Sequence, residues 1–149
     1  NSILFVVDRL LTIRAPLEQI LKELRHDSLT NTEWESVADL HKLLQPFAEM
    51  TDNLQTDTLS LSSLIPAVAE LTLHLQDTTL PKLQAQMLLQ SLRKRFAKFV
   101  DASSPEFDAL PAAACLLDPS VSACLMRDDM LKLVDAAKTY IKEKVKYGL

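Results

Sequence analysis

The sequence predicts an all-α protein, an irregular bundle of about six to eight helices, and three observations lead to this prediction. The chain has one glycine and seven prolines, whereas hairpin turns between strands usually need glycine. Aromatic residues are only 5% of the chain, although strands favour them. Apolar residues recur with the spacing of helices rather than the alternation of strands. No repeat is evident, so a helical solenoid is the second choice.

The chain has the size of one domain, so residues 1–149 are predicted to form a single helical unit that folds without disulfides or metals. It begins inside an apolar segment, which predicts a fragment of a longer protein. The net charge of −4 is unevenly distributed. Residues 1–76 carry five basic and eleven acidic residues, and residues 77–149 carry eleven and nine. The acidic half is not expected to attract nucleic acid.

The two cysteines, Cys115 and Cys124, lie in an apolar context without C-x-x-C spacing. This favours a reduced, intracellular protein over a disulfide framework. The chain has no run of eighteen apolar residues and no basic leader before an apolar segment. The sequence therefore predicts neither a membrane span nor a signal peptide.

The best-marked helix begins near Thr30. Thr30 with Glu33, and Thr32 with Glu35, fit the capping box that satisfies free amides at a helix start. An apolar stripe follows, which consists of Trp34, Val37, Leu40, Leu44, Phe47 and Ala48. Pro46 lacks an amide, so a kink or break is expected there, with a final turn through Met50.

Further helices are predicted on both sides of this one. The first runs from Ser2 to about Ile13, with inward positions Ile3, Val6, Val7, Leu10 and Leu11. The second, after Pro16, ends near Arg25. Later helices are expected from Ser62 or Ser63 to Leu75, from Pro81 to about Val100, over 112–117 and 120–126, and from Asp128 onwards.

Candidates for chemistry are few, and each has a structural interpretation that we favour. The three histidines share no metal-ligand spacing, and His41 is expected to be structural. Asp118 is expected to cap the helix after Pro119 rather than act as a catalytic carboxylate. Cys115 is expected to be an inert core thiol, because apolar neighbours raise the pKa of a thiol. Trp34 is expected to be core. No catalytic residue, metal site or cofactor is proposed.

The one dense basic cluster consists of Arg93, Lys94, Arg95 and Lys98. A solvated helix face is the favoured interpretation, because Phe96 and Phe99 should point toward the core instead of lying beside the charges. Weak phosphate contact is the alternative. Strong DNA binding by this chain alone is not expected.

Several segments together resemble hAT-superfamily transposases, including those domesticated in BED-type zinc-finger host proteins. The resemblance comes from an acidic helix start, a Trp, a series of Ile, Val or Leu positions that leads to "LLQPF", then "MTDNLQTDT" and a later Ile-Pro. "NSILFVVDRLL" at 1–11 and "AAACLLDP" at 112–119 are similar to the flanking segments of that family. The ordered set spans residues 1 to about 126.

The resemblance implies that the chain is the all-helical insertion of an RNase H-like transposase core. The family's three catalytic acids would then lie outside the chain, so no enzymatic activity is expected of it. The family often has Arg where Ser120 stands, which favours a domesticated host protein. A nuclear protein with zinc fingers elsewhere, associated with DNA or chromatin and with protein partners, is implied.

The alternative is a free-standing helical adaptor. Such a protein would bind a partner helix through a groove near the Pro46 bend. Zinc-finger Cys and His spacing in the flanking sequence would favour the transposase-derived scaffold, and its absence would favour the adaptor. Neither interpretation specifies an oligomeric state.

Overall fold

The computed structural model describes residues 2–54 and 60–148, with the side chains of Ser2 and Leu54 left out. The described residues contain no strand, so the predicted all-α class is confirmed. They form seven α-helices: α1 Ser2–Thr12, α2 Arg14–Glu23, α3 Asn31–Leu54, α4 Leu64–Leu75, α5 Lys82–Val100, α6 Leu110–Leu117 and α7 Leu131–Lys146. Three short 3₁₀ helices lie between them, at Leu61–Ser63, Ser122–Met126 and Asp128–Met130.

Helix α2 ends two residues before the predicted boundary, at a left-handed residue. Arg25 has a φ of 55°, which is the conformation that closes many helices and is usually taken by glycine. The amide of His26 donates to the Leu21 carbonyl at 2.9 Å, and the amide of Arg25 donates to the Lys22 carbonyl at 3.2 Å. These two bonds satisfy the last carbonyls of α2, so the chain can turn toward α3.

The start of α3 is set by one of the two predicted capping boxes. The Thr30 amide donates to Glu33 Oε2 at 2.7 Å, and the Glu33 amide donates to Thr30 Oγ1 at 3.2 Å. The Thr30 amide, and after it the Thr30 hydroxyl, which donates to the same Oε2 at 3.0 Å, lower the pKa of Glu33 below its ordinary value. The Thr30 box is therefore confirmed, and α3 begins at the next residue, Asn31. Thr32 lies inside the helix, where its carbonyl accepts a hydrogen bond from the Ser36 hydroxyl.

The expected break at Pro46 does not occur, and the prediction of a final turn at Met50 was wrong. Helix α3 runs through Pro46 for 24 residues and ends at Leu54. Proline removes its own amide from the helix ladder, and its ring crowds the carbonyl of the residue four positions earlier. Packing on both sides of Pro46 offsets that loss: Leu43 is 2% exposed, and Phe47 and Met50 pack against the same core.

Two clusters of buried residues form the core, and α4 contributes to both. The first lies between α3, α4 and α5 and consists of Leu43, Val68, Leu71, Leu75, Leu80, Ala85 and Leu92. The second is built mainly by α6 and α7 and consists of Ile65, Ala112, Ala113, Cys115, Leu125, Leu133 and Ala137. Val100 at the end of α5 packs against both. The clusters are thus joined through α4 and the end of α5.

Trp34 is buried at the corner between α2 and α3, apart from the two clusters. Its side chain is 1% exposed, which confirms the predicted core position. The Arg14 guanidinium lies 5.0 Å from the centroid of the indole ring, and its Nε is 3.2 Å from Glu18 Oε1. The indole Nε1 is buried without a hydrogen-bond partner among the described residues. The ring therefore stabilises the corner by packing and by its contact with Arg14.

Three predicted inward positions were wrong. Ile3 is 65% exposed, Val6 is 54% exposed and Leu40 is 36% exposed. On α1 it is Val7 that is buried, at 7% exposed, and on α3 it is Leu43. Helical spacing identifies an apolar stripe, but which edge of the stripe is covered depends on where the neighbouring helix crosses it.

We expect the Trp34→Ala variant to lose about 3–5 kcal/mol of unfolding free energy, because it removes a large buried ring. The Trp34→Phe variant should lose less than half as much, because it keeps an aromatic ring beside Arg14 and removes the unpaired donor. Urea unfolding followed by far-ultraviolet circular dichroism measures both.

The matched control is Tyr147→Ala, because Tyr147 is 80% exposed and its loss should change stability little. Equal stability of Trp34→Ala and the control would contradict a buried, stabilising indole.

Candidate functional site

The basic cluster lies on the outward side of α5, as the favoured interpretation predicts. Arg93, Lys94, Arg95 and Lys98 are all exposed, and Lys94 and Lys98 are one helical turn apart. Phe96 and Phe99 are partly buried and pack against the first and second cores, respectively. The four cations are therefore presented to solvent together, and Phe99, which was expected not to lie beside the charges, has Lys98 over its ring.

Two exposed apolar residues that were not predicted as functional lie on the same face of α5 as Lys94. Leu83 is 66% exposed and Met87 is 61% exposed. With Lys94 and Lys98 they recur at intervals of four and seven residues, which places them on one face of the helix. This outward stripe of α5 is therefore apolar in its first half and basic in its second. The four-residue spacing of Leu83 and Met87 was the signal available in the sequence.

Lys98 also contacts an aromatic ring. Its Nζ lies 4.5 Å from the centroid of Phe99, a distance at which a cation is attracted by a ring face. Arg95 lines a groove of 480 Å³ between α3, α4 and α5, together with Phe47, Leu88 and Phe96. Two of the four cations therefore lie beside apolar surface.

Asp118, in the turn after α6, accepts hydrogen bonds from a neighbour in the same turn and from a residue far away in sequence. Its Oδ1 accepts the Ser120 hydroxyl at 2.6 Å and the Ser120 amide at 3.0 Å. Its Oδ2 accepts the hydroxyl of Ser62 at 2.6 Å. Ser62 is 56 residues away in sequence and is only 5% exposed. Ser62 also contacts the hydroxyl of Ser60. One carboxylate therefore ties the start of α4 to the end of α6.

The prediction that Asp118 caps the next helix needs correction. The 3₁₀ helix that follows begins at Ser122, and no side chain caps it. Asp118 instead closes the tight turn over residues 118–122, where its carbonyl also accepts the amides of Val121 at 3.2 Å and Ser122 at 2.9 Å. Hydrogen bonds from the Ser120 hydroxyl, and then from Ser62, lower the pKa of Asp118. The carboxyl is held ionised as an acceptor.

The two cysteines face each other across this turn. Cys115 is fully buried, Cys124 is partly exposed, and their Sγ atoms are 3.6 Å apart. Burial, with smaller contributions from Cys124 and Asp118, raises the pKa of the Cys115 thiol to about 12. This agrees with the expected core thiol at Cys115. The contact with Cys124 was not predicted, because a nine-residue separation has no local spacing rule.

The three histidines lie in separate places. His41 Nε2 is 3.3 Å from Asp8 Oδ1, a contact that joins α3 to α1. His74 Nε2 is 3.4 Å from the Leu43 carbonyl, and His26 follows the end of α2. Each therefore has its own surroundings. Within residues 2–54 and 60–148, no three His, Cys, Asp or Glu side chains are grouped closely enough to hold a metal ion.

No helix in the described part of the chain has the length and apolar character needed to cross a membrane. The chain matches no protein-family model, no curated protein and no solved structure.

We expect the Ser62→Ala variant to lose about 1 kcal/mol of unfolding free energy at neutral pH, because it removes the buried hydroxyl that donates to Asp118. The lowered pKa of Asp118 means that its ionised form is favoured by folding. The stability linked to Asp118 is therefore present above the ordinary pKa of an aspartate and is lost as the pH falls through the lowered value. The difference between wild type and Ser62→Ala should shrink over that acid range.

Ser63→Ala is the matched control, because the Ser63 hydroxyl is 3.3 Å from Ser60 and lies at the same helix start. Chemical unfolding at neutral and acid pH measures all three proteins. A Ser62→Ala cost no larger than that of the control would contradict a stabilising link between Ser62 and Asp118.

Proposed function

We propose that this chain is a non-catalytic helical scaffold and interaction domain of a transposase-derived, zinc-finger-containing nuclear protein that associates with DNA or chromatin. The observation that supports the proposal is where the hAT-like segments lie. The segment at 1–11 supplies the buried Val7, the "LLQPF" helix supplies Trp34 and Leu43, and the segment at 112–119 supplies core residues that include Cys115. In this proposal the family's motifs specify a helical core.

Exposed apolar side chains support the interaction role. Phe5 on α1 is 71% exposed and Leu117 at the end of α6 is 67% exposed. Leu83 and Met87 add an exposed pair on α5. Single exposed apolar residues such as Phe5 and Leu117 are ordinary, but a pair on one helix face, such as Leu83 and Met87, is typical of surfaces that contact other chain segments. A scaffold inside a larger protein would present such surfaces to its neighbours.

The acidic side chains with the clearest interactions have structural roles, which fits a non-catalytic domain. Asp118 closes a turn and bonds Ser62, Glu33 caps α3, and Asp8 pairs with His41. Two-metal phosphoryl transfer needs carboxylates that share ions about 4 Å apart. In the proposal, the acids that do this chemistry lie in the RNase H-like part of the longer protein. The isolated chain then needs no cofactor.

The outward face of α5 is the surface through which this domain would contact DNA. Four exposed cations, Arg93, Lys94, Arg95 and Lys98, could meet up to four phosphates. Each neutralised phosphate on B-DNA contributes about −0.9 to the slope of log affinity against log salt concentration. Four phosphates therefore give a slope of about −3.6. The net charge of −4 opposes this contact. The proposed contribution is therefore weak and independent of DNA sequence.

The double variant Lys94→Glu/Lys98→Glu should abolish the weak binding of the chain to a short DNA duplex at low salt. The matched control, Lys142→Glu/Lys146→Glu, makes the same charge change on exposed lysines one turn apart on α7, and it should keep most of the binding. Fluorescence anisotropy across a salt series measures affinity, and circular dichroism checks the fold.

Equal losses in the two double variants would mean that net charge, and not the α5 face, controls binding. Tight binding at about 150 mM salt, or a sequence preference that survives the α5 reversal, would contradict a weak phosphate contact.

The full-length reading frame tests the wider proposal. A transposase-derived protein should have BED-type Cys and His spacing upstream, two RNase H-like acids before residue 1 and a third after residue 149. Nuclear fractionation of the full-length protein should then recover it with chromatin. A reading frame that lacks both the zinc finger and the acids would contradict the proposal.

A groove favours the second candidate, a helical adaptor. It has a volume of 290 Å³ and lies beside Pro46, with Met50 and Leu71 in its apolar wall and Glu49 and Glu70 among its polar residues. The larger groove between α3, α4 and α5 shares Met50 and Leu71, so the two grooves adjoin each other. A partner helix with apolar and basic residues would fit this lining. Loss of partner binding in a Glu49→Lys/Glu70→Lys variant, with DNA binding unchanged, would favour the adaptor.

A further inference from the structure

We propose that Cys115 and Cys124 form a redox-modification site. A small-molecule disulfide of the glutathione class oxidises the two thiols there to a reversible disulfide within the chain. The proposal is independent of the scaffold function. It rests on the separation of the two Sγ atoms, their unequal exposure and the turn that holds them together.

The separation of the sulfurs is short enough for closure by small movements. The Sγ atoms are 3.6 Å apart, and a disulfide bond is about 2.05 Å long. The sulfurs must therefore approach by about 1.5 Å, a movement within the range of side-chain rotation. The two residues lie on different elements, α6 and the 3₁₀ helix Ser122–Met126, so a rotation of either side chain leaves the other in place.

The turn between the cysteines is fixed by hydrogen bonds, which keeps the thiols opposite each other. Asp118 accepts the amide and hydroxyl of Ser120, and its carbonyl accepts the amide of Ser122. The amide of Cys124 donates to the Val121 carbonyl at 3.1 Å. The bond from Ser62 anchors the same turn to the start of α4. A preorganised pair has a higher effective concentration than the same two thiols in a flexible chain.

The unequal exposure of the two thiols sets the order of the reaction. Cys124 is partly exposed and can be reached from solvent, whereas Cys115 is fully buried. Burial also raises the pKa of Cys115 to about 12, so this thiol stays protonated and is the poorer first nucleophile of the two. Cys124 is therefore the residue that meets the oxidant, and Cys115 is the residue that resolves the mixed disulfide.

The exchange has two balanced steps. First, the Cys124 thiolate attacks one sulfur of oxidised glutathione. A bond forms between Cys124 and glutathione, the original disulfide breaks, and the released glutathione thiolate takes up the proton that Cys124 lost. Second, the Cys115 sulfur attacks Cys124 Sγ. The Cys115–Cys124 bond forms, the bond between Cys124 and glutathione breaks, and the Cys115 proton passes to the departing glutathione sulfur. The protein loses two protons and two electrons, and these convert one oxidised glutathione into two reduced molecules.

Equilibration of the purified chain with mixtures of oxidised and reduced glutathione tests the proposal. After an acid quench and alkylation of the denatured protein, intact mass should show a species about 2 Da lighter than the reduced chain and without alkyl groups. Its equilibrium constant should be at least about tenfold larger for the folded chain than for the chain in urea, because the fold holds the thiols together. Circular dichroism should show that helix content is retained after oxidation.

Single-cysteine variants test the order. Cys115→Ser should accumulate glutathione at Cys124, because the resolving thiol is absent. Cys124→Ser should take up little glutathione while folded, because its remaining thiol is buried. Retention of two alkylatable thiols at every glutathione ratio would overturn the proposal. So would an equilibrium constant in urea equal to that of the folded chain, or faster uptake by Cys124→Ser than by Cys115→Ser.

Discussion

Burial of α4 on more than one face is the constraint on which the rest of the fold depends. Ile65 is fully buried in the core that α6 and α7 build, while Val68, Leu71 and Leu75 lie in the core shared with α3 and α5. A helix that is apolar on most sides must be surrounded. The long α3 and α5 cover one side, and the short α6, held by α7, covers the other. Because the two cores share this helix, neither can form completely without it.

A polar link joins the start of α4 to the end of α6. Ser62 is buried just before the helix, and its hydroxyl needs a partner because an unsatisfied buried donor is costly. Asp118 supplies the acceptor from the end of α6. The same carboxylate closes the turn that holds Cys115 and Cys124 in contact. Helix packing, turn geometry and the proposed thiol chemistry are thus coupled through one side chain.

The proposed functions use different surfaces of the fold, except that Arg95 belongs to the basic cluster and also lines the groove between α3, α4 and α5. The basic stripe lies on the outward side of α5, whose inward side fills the first core through Ala85 and Leu92. The grooves beside Pro46 lie where α3 continues past the proline over α4. The thiol pair lies at the opposite side of α4, in the second core. Lys94 and Lys98 lie outside both groove linings, so variants of these two lysines leave the groove contacts and the thiol pair unchanged.

Local rules were sufficient for the helical class and the start of α3, but not for the length of α3, for the buried faces of the helices or for the candidate site. The Thr30–Glu33 capping box marked the start of α3 correctly, because a capping box is made by four consecutive residues. The prediction of a break at Pro46 was wrong because tertiary packing around Leu43 and Phe47 outweighs the local cost of a proline in the helix. The Ser62 bond to Asp118 was missed because no sequence pattern relates residues 56 positions apart.

By itself the sequence determined the all-α class, the starts of α3 after Thr30 and of α5 after Pro81, and the exposed basic cluster on α5, since composition, capping and periodicity act within one or two turns of chain. Only the tertiary structure decided that Leu43 instead of Leu40 enters the core, that Asp118 closes a turn and holds Ser62, and that the two thiols meet. Those outcomes depend on where helices cross. Crossing is set by the fit of whole side-chain surfaces against each other, which no local stretch of sequence contains.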